Sequence, residues 1–383
     1  MKRAFALLLA AAVCAVVLSG CGKTKEGTVK SGLYYDASGI SPDAVLLTVD
    51  GRDVTAGRYF YWLTDACDSM NSFYTEQGKE LDWNTELSGE KLGDYVKKQA
   101  LTTSVLYAVI ESWAEKYGCT VTDEDRSGIN TEWETKAKQY GGEEAYLAVL
   151  ANLGLDQASA EQLSEDYYLY KHLYGVYSDT SGKLHPDDAT LNAYASDNSY
   201  LTVDEILIST SGVAKDDTAA LKEKRERAEM ILSKLSASSN PLEYFTTLAG
   251  TYSDDNRDDY PSGFTFSAGS GTMSDAFEAA AKSLEENKWS GIVESDEGFY
   301  IILRKPLDMD TVSADYFDHL LRSAADSAKI EYADAYDSIT AADFYDGLTR
   351  AREKLNSGTA AGSADGSGSD SDALPQSSAG SAG

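Results

Sequence analysis

Three runs decide how this chain is to be read: FTTLAGTYSDD at 245–255, GTMSDAFEAA at 271–280 and SGIVESDEGFYIILR at 290–304. The first runs into the acidic stretch Asp254-Asp255-Asn256-Arg257-Asp258-Asp259, whose plainest reading is an exposed loop. In the second, Met273 and Phe277 stand four apart, so a helix there presents both on one side. The third ends in the apolar run Phe299–Leu303, bounded by Gly298, which reads as a buried strand. A companion strand is predicted at Val203–Ile208, an odd place for a carboxylate such as Glu205, because a buried carboxylate is costly without hydrogen-bond partners. The three histidines of the chain, His172, His185 and His319, all lie outside these runs.

In this order the segments resemble a parvulin, or PpiC-type, peptidyl-prolyl isomerase domain over about residues 199–306. The family's opening strand carries H-I-L-[IV]; here it is Glu205-Ile206-Leu207-Ile208, with Glu205 in the histidine's place. The family's L-A-x-x-[YF]-S-x-D pattern matches from Leu248, and the resemblance puts Asp255 where parvulins carry an active-site Asp or Cys. Its G-x-M-x-x-x-F-E pattern is met by Gly271, Met273, Phe277 and Glu278, and its G-[YF]-H-I-I strand by Gly298–Ile302, with Tyr300 for the second histidine. The resemblance therefore implies a proline socket of Met273, Phe277 and Phe264, and a polar centre of Asp255, Glu205 and Tyr300. Glu205 and Tyr300 are expected to face each other across adjacent strands, phenol donating to carboxylate in place of the histidine pair.

The rest of the chain frames this domain. Met1-Lys2-Arg3, the apolar run Ala4–Val17 and Leu18-Ser19-Gly20-Cys21 read as a signal peptide, residues 1–20, resembling a bacterial lipobox with Cys21 as the diacylglyceryl-modified, palmitate-type anchor. Cleavage there leaves 363 of the 383 residues, with a net charge of −32 in place of −30 once Lys2 and Arg3 are gone. A chain so acidic is repelled by nucleic acid.

Residues 21–43, rich in Gly, Ser and Lys, read as a tether. The segment 44–198 is predicted to be mainly helical after a short strand at Val45–Val49 that ends in an Asp50-Gly51 turn. Thr55 is expected to cap a helix to about Glu76, Gly118 to end a long one, and Thr122 with Asp125 to open the next. Residues 307–356, with Tyr316, Leu320 and Leu321 on one face, are expected to return to the helical part. Residues 357–383, nearly all Ser, Gly, Ala and Asp, read as a disordered tail.

The layout is similar to PrsA-type foldases and periplasmic parvulin chaperones. The expected fold class is α+β: a discontinuous helical chaperone module with an inserted parvulin domain. The resemblance implies a membrane-anchored extracytoplasmic isomerase whose partners are unfolded or newly exported proteins with X-Pro bonds. The sequence leaves open a holdase that has lost catalysis with its histidines, and pairing with a second copy. No cofactor is expected: there is no Gly-rich phosphate loop, no zinc-ligand spacing and no serine nucleophile with a histidine partner. Cys67 and Cys119 are left either as a disulfide or as free thiols.

Overall fold

The computed structural model describes residues 27–87, 89–255, 260 and 263–362. The signal peptide and Cys21 lie outside the described residues. The chain divides into two compact units, one reaching to Ser178 and resuming at Leu321, the other spanning Asp179–Leu320. A helical unit is thus interrupted by an inserted α+β unit, the discontinuous arrangement expected from the sequence.

The helical unit opens with α1 (Leu33–Ser38) and the hairpin β1 (Val45–Val49) and β2 (Arg52–Thr55). Asp50 and Gly51 both take positive φ, 49° and 85°, as a two-residue hairpin turn requires. Next come α2 (Ala56–Glu76), the two-residue strands β3 (Glu86–Leu87) and β4 (Glu90–Lys91), α3 (Leu92–Tyr117), α4 (Asp123–Gln139), α5 (Glu143–Asn152) and α6 (Gln157–Ser178). The helix boundaries follow the capping chemistry. The Thr55 side chain accepts from the Arg58 amide, Gly118 closes α3 in the left-handed conformation, and Thr122 with Asp125 completes a reciprocal capping box.

Tyr34 of α1 is buried between Phe60 and Phe344, its hydroxyl donating to the Leu153 carbonyl. The tether expected over 21–43 is therefore folded from Leu33 onward. Polar composition concealed one aromatic side chain whose burial is enough to dock a short helix.

The inserted unit contains α7 (Asp188–Asp197), β5 (Tyr200–Ser209), α8 (Thr218–Ser236), α9 (Pro241–Tyr252), β6 (Phe264–Ser267), α10 (Asp275–Ser283), β7 (Val293–Glu294) and β8 (Gly298–Lys305). Its four strands form one antiparallel sheet in the order β6-β5-β8-β7. The two faces bury different sets of side chains, as the period of two demands. Ile206, Ile208, Phe299, Ile301 and Leu303 meet Ile231, Phe245 and Leu248 of α8 and α9. Val203, Tyr300 and Ile302 meet Phe266 of the sheet and Phe277 and Ala281 of α10.

Helix α11 (Met309–Ser327) contains the second division point, and β9 (Ile330–Tyr332), α12 (Asp334–Asp337) and α13 (Ala341–Gly362) complete the helical unit. Strand β9 adds to β1 with Thr48 opposite Glu331, and Lys97 donates to the carbonyls of Tyr336 and Ile339. The two halves of the discontinuous unit are thereby joined by backbone and side-chain bonds. Tyr316, expected on this side, instead packs on Tyr194 of the inserted unit at 5.0 Å. Tyr194 also contacts Tyr200 and His319, and this aromatic cluster is what claims Tyr316. Helix α13 runs on to Gly362, past the point where the tail was expected to begin, since extending a helix already formed is far easier than starting one and Ala360 and Ala361 favour it. Residues 363–383 lie outside the described residues.

Candidate active site

Strands β5 and β8 pair so that Glu205 faces Ile302 and Leu207 faces Tyr300. Glu205 and Tyr300 therefore lie on the same sheet face, as diagonal neighbours one pair apart, a separation of about 7–8 Å between backbones. Over this face opens a cavity of about 610 Å³. Glu205 and Leu207 of β5, Asp255 after α9, Phe264 of β6, Met273 before α10 and Tyr300 of β8 all line it. Five of the six residues proposed from sequence are thus gathered at one cavity, although they span nearly a hundred residues of chain.

Phe277 is the exception. It is fully buried and absent from the cavity lining, with its ring edge-on to Tyr300 at 5.1 Å. It supports the tyrosine rather than presenting a wall. The four-residue spacing placed Met273 with Phe277, but Met273 precedes the helix: Ser274 caps α10 by accepting from the Phe277 amide. The pair consequently does not share a helical face. Glu278 of the same motif is buried and accepts from the Gly269 amide at 2.6 Å, tying down the turn between β6 and α10.

The expected bond between Tyr300 and Glu205 is not the one formed. The Tyr300 hydroxyl donates to Glu297 Oε2 at 2.5 Å. A residue three before Tyr300 would point to the opposite face of a regular strand, so strand periodicity disqualified Glu297. It sits in the turn before β8, and Gly298, at φ 149°, redirects the chain there. A side chain at Gly298 would strike the Ile208 carbonyl at 2.2 Å. Tyr260 is another lining residue that sequence reading missed; its ring meets Phe264 edge-on at 5.0 Å. Its signal was the aromatic pair itself in an otherwise polar loop.

The electrostatics of the cavity are lopsided. Burial pushes the Tyr300 phenol well above its ordinary range, and the bond to Glu297 and the nearby charges of Glu205, Glu297 and Asp255 add to the shift. Tyr300 therefore stays neutral at any physiological pH, its proton committed to Glu297 and its oxygen lone pairs available. Asp296 also lines the cavity, and Lys215 meets it at 3.1 Å from the exposed side. Asp204 contributes to the lining, but strand alternation sends its side chain to the face opposite Glu205. No lysine, arginine or histidine occurs among the described lining residues.

The helical unit holds a second, larger cavity of about 920 Å³, lined among others by Tyr34, Arg58, Tyr61 and Leu163. The tyrosines at 167–177 do not line it. Tyr177 is core and Tyr167 is exposed. Cys67 is buried in α2, Cys119 follows α3, and both are free thiols. Among the described residues no cluster could hold a metal ion, and no helix is long and apolar enough to cross a membrane.

With sheet, cavity and motif residues in place, comparison with known proteins defines the class. Residues 190–304 match the sequence model of the PPIC-type PPIASE domain. The chain carries a PPIC-type, that is parvulin-type, peptidyl-prolyl isomerase domain. Among solved structures, the chain is similar to PrsA from Bacillus subtilis at 17% identity, covering 75% of this chain and 93% of that one, with a TM-score of 0.27. It is also similar to the foldase protein PrsA from Streptococcus pneumoniae, at 14% identity over 82% and 94% of the two chains and a TM-score of 0.27. A third similarity is to the peptidyl-prolyl isomerase ESS1 from Candida albicans, at 20% identity over 37% and 78%, with a TM-score of 0.24. Among curated proteins, none matches the chain.

Proposed function

We propose that the chain is a lipid-anchored, extracytoplasmic foldase whose inserted domain isomerises X–Pro bonds in exported proteins, with Cys21 as the anchor. The observation that carries this reading is the convergence of Met273, Phe264, Tyr300, Glu205 and Asp255 on one cavity within the segment matched by the isomerase family. Isomerisation breaks no bond. It requires only that the twisted imide be held better than either planar form, against a barrier of about 18–20 kcal/mol.

The residues suit that task. Met273, with its flexible thioether, and the Phe264 ring supply an apolar seat for a pyrrolidine ring. A planar imide carries excess negative charge on its carbonyl oxygen, and twisting removes the resonance that puts it there. Glu205, Asp255 and Glu297 surround Tyr300 with negative potential, which disfavours the planar forms relative to the twisted one. Tyr300, its proton held by Glu297, presents an oxygen rather than a hydrogen to the substrate. A thousandfold acceleration needs only about 4 kcal/mol of such discrimination.

The test is protease-coupled cis/trans exchange on a prolyl tetrapeptide with the full chain and its Met273→Ala and Asp255→Ala variants. Turnover above background, lowered by both substitutions, supports the reading. A second reading is favoured by one observation: Glu205 and Tyr300 stand where the family has histidines. On that reading the domain grips prolyl segments without isomerising them and the protein acts as a holdase. Flat exchange kinetics together with suppressed aggregation of an unfolded client would select it.

A further inference from the structure

We infer that Glu278 is a positioning residue for the prolyl site: its buried carboxylate fixes the turn that carries Met273 into the cavity. The inference rests on the reading of this cavity as the prolyl site, and deepens it by naming a residue outside the lining on which the proline seat depends.

Between the end of β6 at Ser267 and the start of α10 at Asp275 the chain follows no regular element. Gly269 and Gly271 take φ of 98° and 78°, left-handed values that glycine adopts without strain. Two such residues leave the stretch free to move unless something holds it. Thr272 and Met273 lie at its end and line the cavity. The bonds that Ser270 makes, to the Ser267 carbonyl and the Thr272 hydroxyl, are internal to the turn, and the Ala268 amide on the Ser199 carbonyl holds only its start. Two further bonds tie the stretch to α10. At its end, Ser274 accepts from the Phe277 amide at 3.3 Å. In its middle, Glu278 reaches back so that its Oε2 accepts from the Gly269 amide at 2.6 Å. This bond is charge-assisted, and the carboxylate that makes it belongs to a residue only 7% exposed, so water competes for it poorly. Glu278 also lies in the first turn of α10, the end of a helix at which negative charge is favoured. The same helix supports the polar centre, because the Phe277 ring packs edge-on to Tyr300 at 5.1 Å. Helix α10 is thus the common reference from which the apolar seat and the Tyr300 phenol are placed relative to each other. Without the Glu278 carboxylate, Phe277 still supports Tyr300, but the turn bearing Met273 loses an anchor.

The experiment is a double-mutant cycle on the full chain, combining Met273→Ala with Glu278→Ala and, to keep the side-chain volume, with Glu278→Gln. Affinity for the peptide Ala-Ala-Pro-Phe is read by NMR titration and isomerisation by exchange spectroscopy on the same samples, with folding checked by circular dichroism. With Met273 present, Glu278→Ala should weaken binding by about tenfold. Glu278→Gln should weaken it less, since the substituted side chain keeps an oxygen that accepts from Gly269. With Met273 already alanine, the same substitutions should change affinity by less than about twofold, because the side chain they position is gone. A merely structural role would lower affinity equally in both backgrounds. Such additivity overturns the inference, as does unchanged affinity in folded Glu278→Ala. Should Glu278→Ala fail to fold, the Glu278→Gln cycle decides by the same criterion. Absence of peptide binding to the unsubstituted chain removes the reading of the cavity and this inference with it. Non-additive binding without exchange leaves the inference standing and removes the isomerase reading, so the two fail separately.

Discussion

The two cavities of this protein treat charge in opposite ways. In the helical unit, the cations at or beside the cavity are held in ion pairs. Arg58 reaches Glu111 with one arm and Asp166 at 2.5 Å with the other, and Arg352 forks onto Asp68 at 2.8 and 2.9 Å while donating to the Asn152 carbonyl. In the inserted unit, carboxylates from three elements converge on a neutral phenol, and the described lining contains no cation. Closed ion pairs fix helices in place; a lopsided set of like charges stores negative potential that a ligand can use. On the function proposed above, charge beside the larger cavity serves architecture and charge in the smaller one serves chemistry.

The first way to break the contrast is to open a locked pair. Asp166 is 2% exposed; burial pushes its carboxyl upward and Arg58 pulls it back. Arg58→Ala leaves Asp166 and Glu111 facing each other without the cation between them, and should cost about 3–5 kcal/mol of stability in the helical unit. Denaturant unfolding followed by tryptophan fluorescence reads this directly. Prolyl exchange in the folded fraction should be unaffected, because no residue of that cluster belongs to the inserted unit's cavity. A loss of under 1 kcal/mol would mean that the pair is solvated and the architectural role wrong.

The second acts on the other cavity. Tyr300→Phe retains the ring against Phe277 but removes the hydroxyl that holds Glu297. The loss of one charge-assisted hydrogen bond, about 1.5–3 kcal/mol, should lower kcat/KM on a prolyl peptide by roughly 10–100-fold. Thermal stability should change far less than for Arg58→Ala, since Glu297 is exposed and can be hydrated. Unchanged kcat/KM would show the phenol to be a spectator.

How much of this was legible beforehand depends on which physical signal carried it. Capping residues and hydrophobic period are local, so Thr55, Gly118, the Thr122–Asp125 box and strands β5 and β8 could all be read from the sequence. The ordered motifs then brought Glu205, Asp255, Met273, Phe264 and Tyr300 to one cavity. What failed was periodicity carried past its element. Met273 was read as helical because Phe277 follows at i+4, but α10 starts only after its Ser274 cap. Glu297 was invisible because a turn at Gly298, not the strand, aims it. Tyr34 was lost to composition: one buried aromatic in a polar stretch decides the docking of α1, and an average over residues dilutes it.

A third, smaller effect reads a hydrogen-bonded carboxylate of the helical unit through pH. Asp125 accepts from the Thr122 hydroxyl and amide and from His172 Nε2 at 2.7 Å, and these bonds hold its carboxyl down at about 2 against an ordinary 3.8. Between those values the native state binds fewer protons than the unfolded chain, so stability rises with pH there. The contribution is complete above about pH 4 and lost as pH falls toward 2. Asp125→Asn should flatten that part of the stability profile, measured by denaturant midpoint from pH 5 to 2. An unchanged slope would mean that the capping box contributes nothing to acid sensitivity.

The smallest effect sharpens the comparison where the two kinds of charge meet. Lys215 and Asp296 pair at 3.1 Å with side chains 92% and 93% exposed, so the bond itself should be worth little to stability. Lys215→Ala is expected to move the melting temperature by no more than about 1–2 °C. Yet Asp296 lines the acidic cavity, and removing its cation deepens the negative potential felt by a ligand. Binding of a lysine-containing prolyl peptide should therefore tighten by about twofold at low salt, and not at high salt. A stability change with no shift in binding would make this pair one more piece of architecture. A shift in binding with no change in stability would show that even a fully exposed charge at this cavity acts on the ligand and not on the fold.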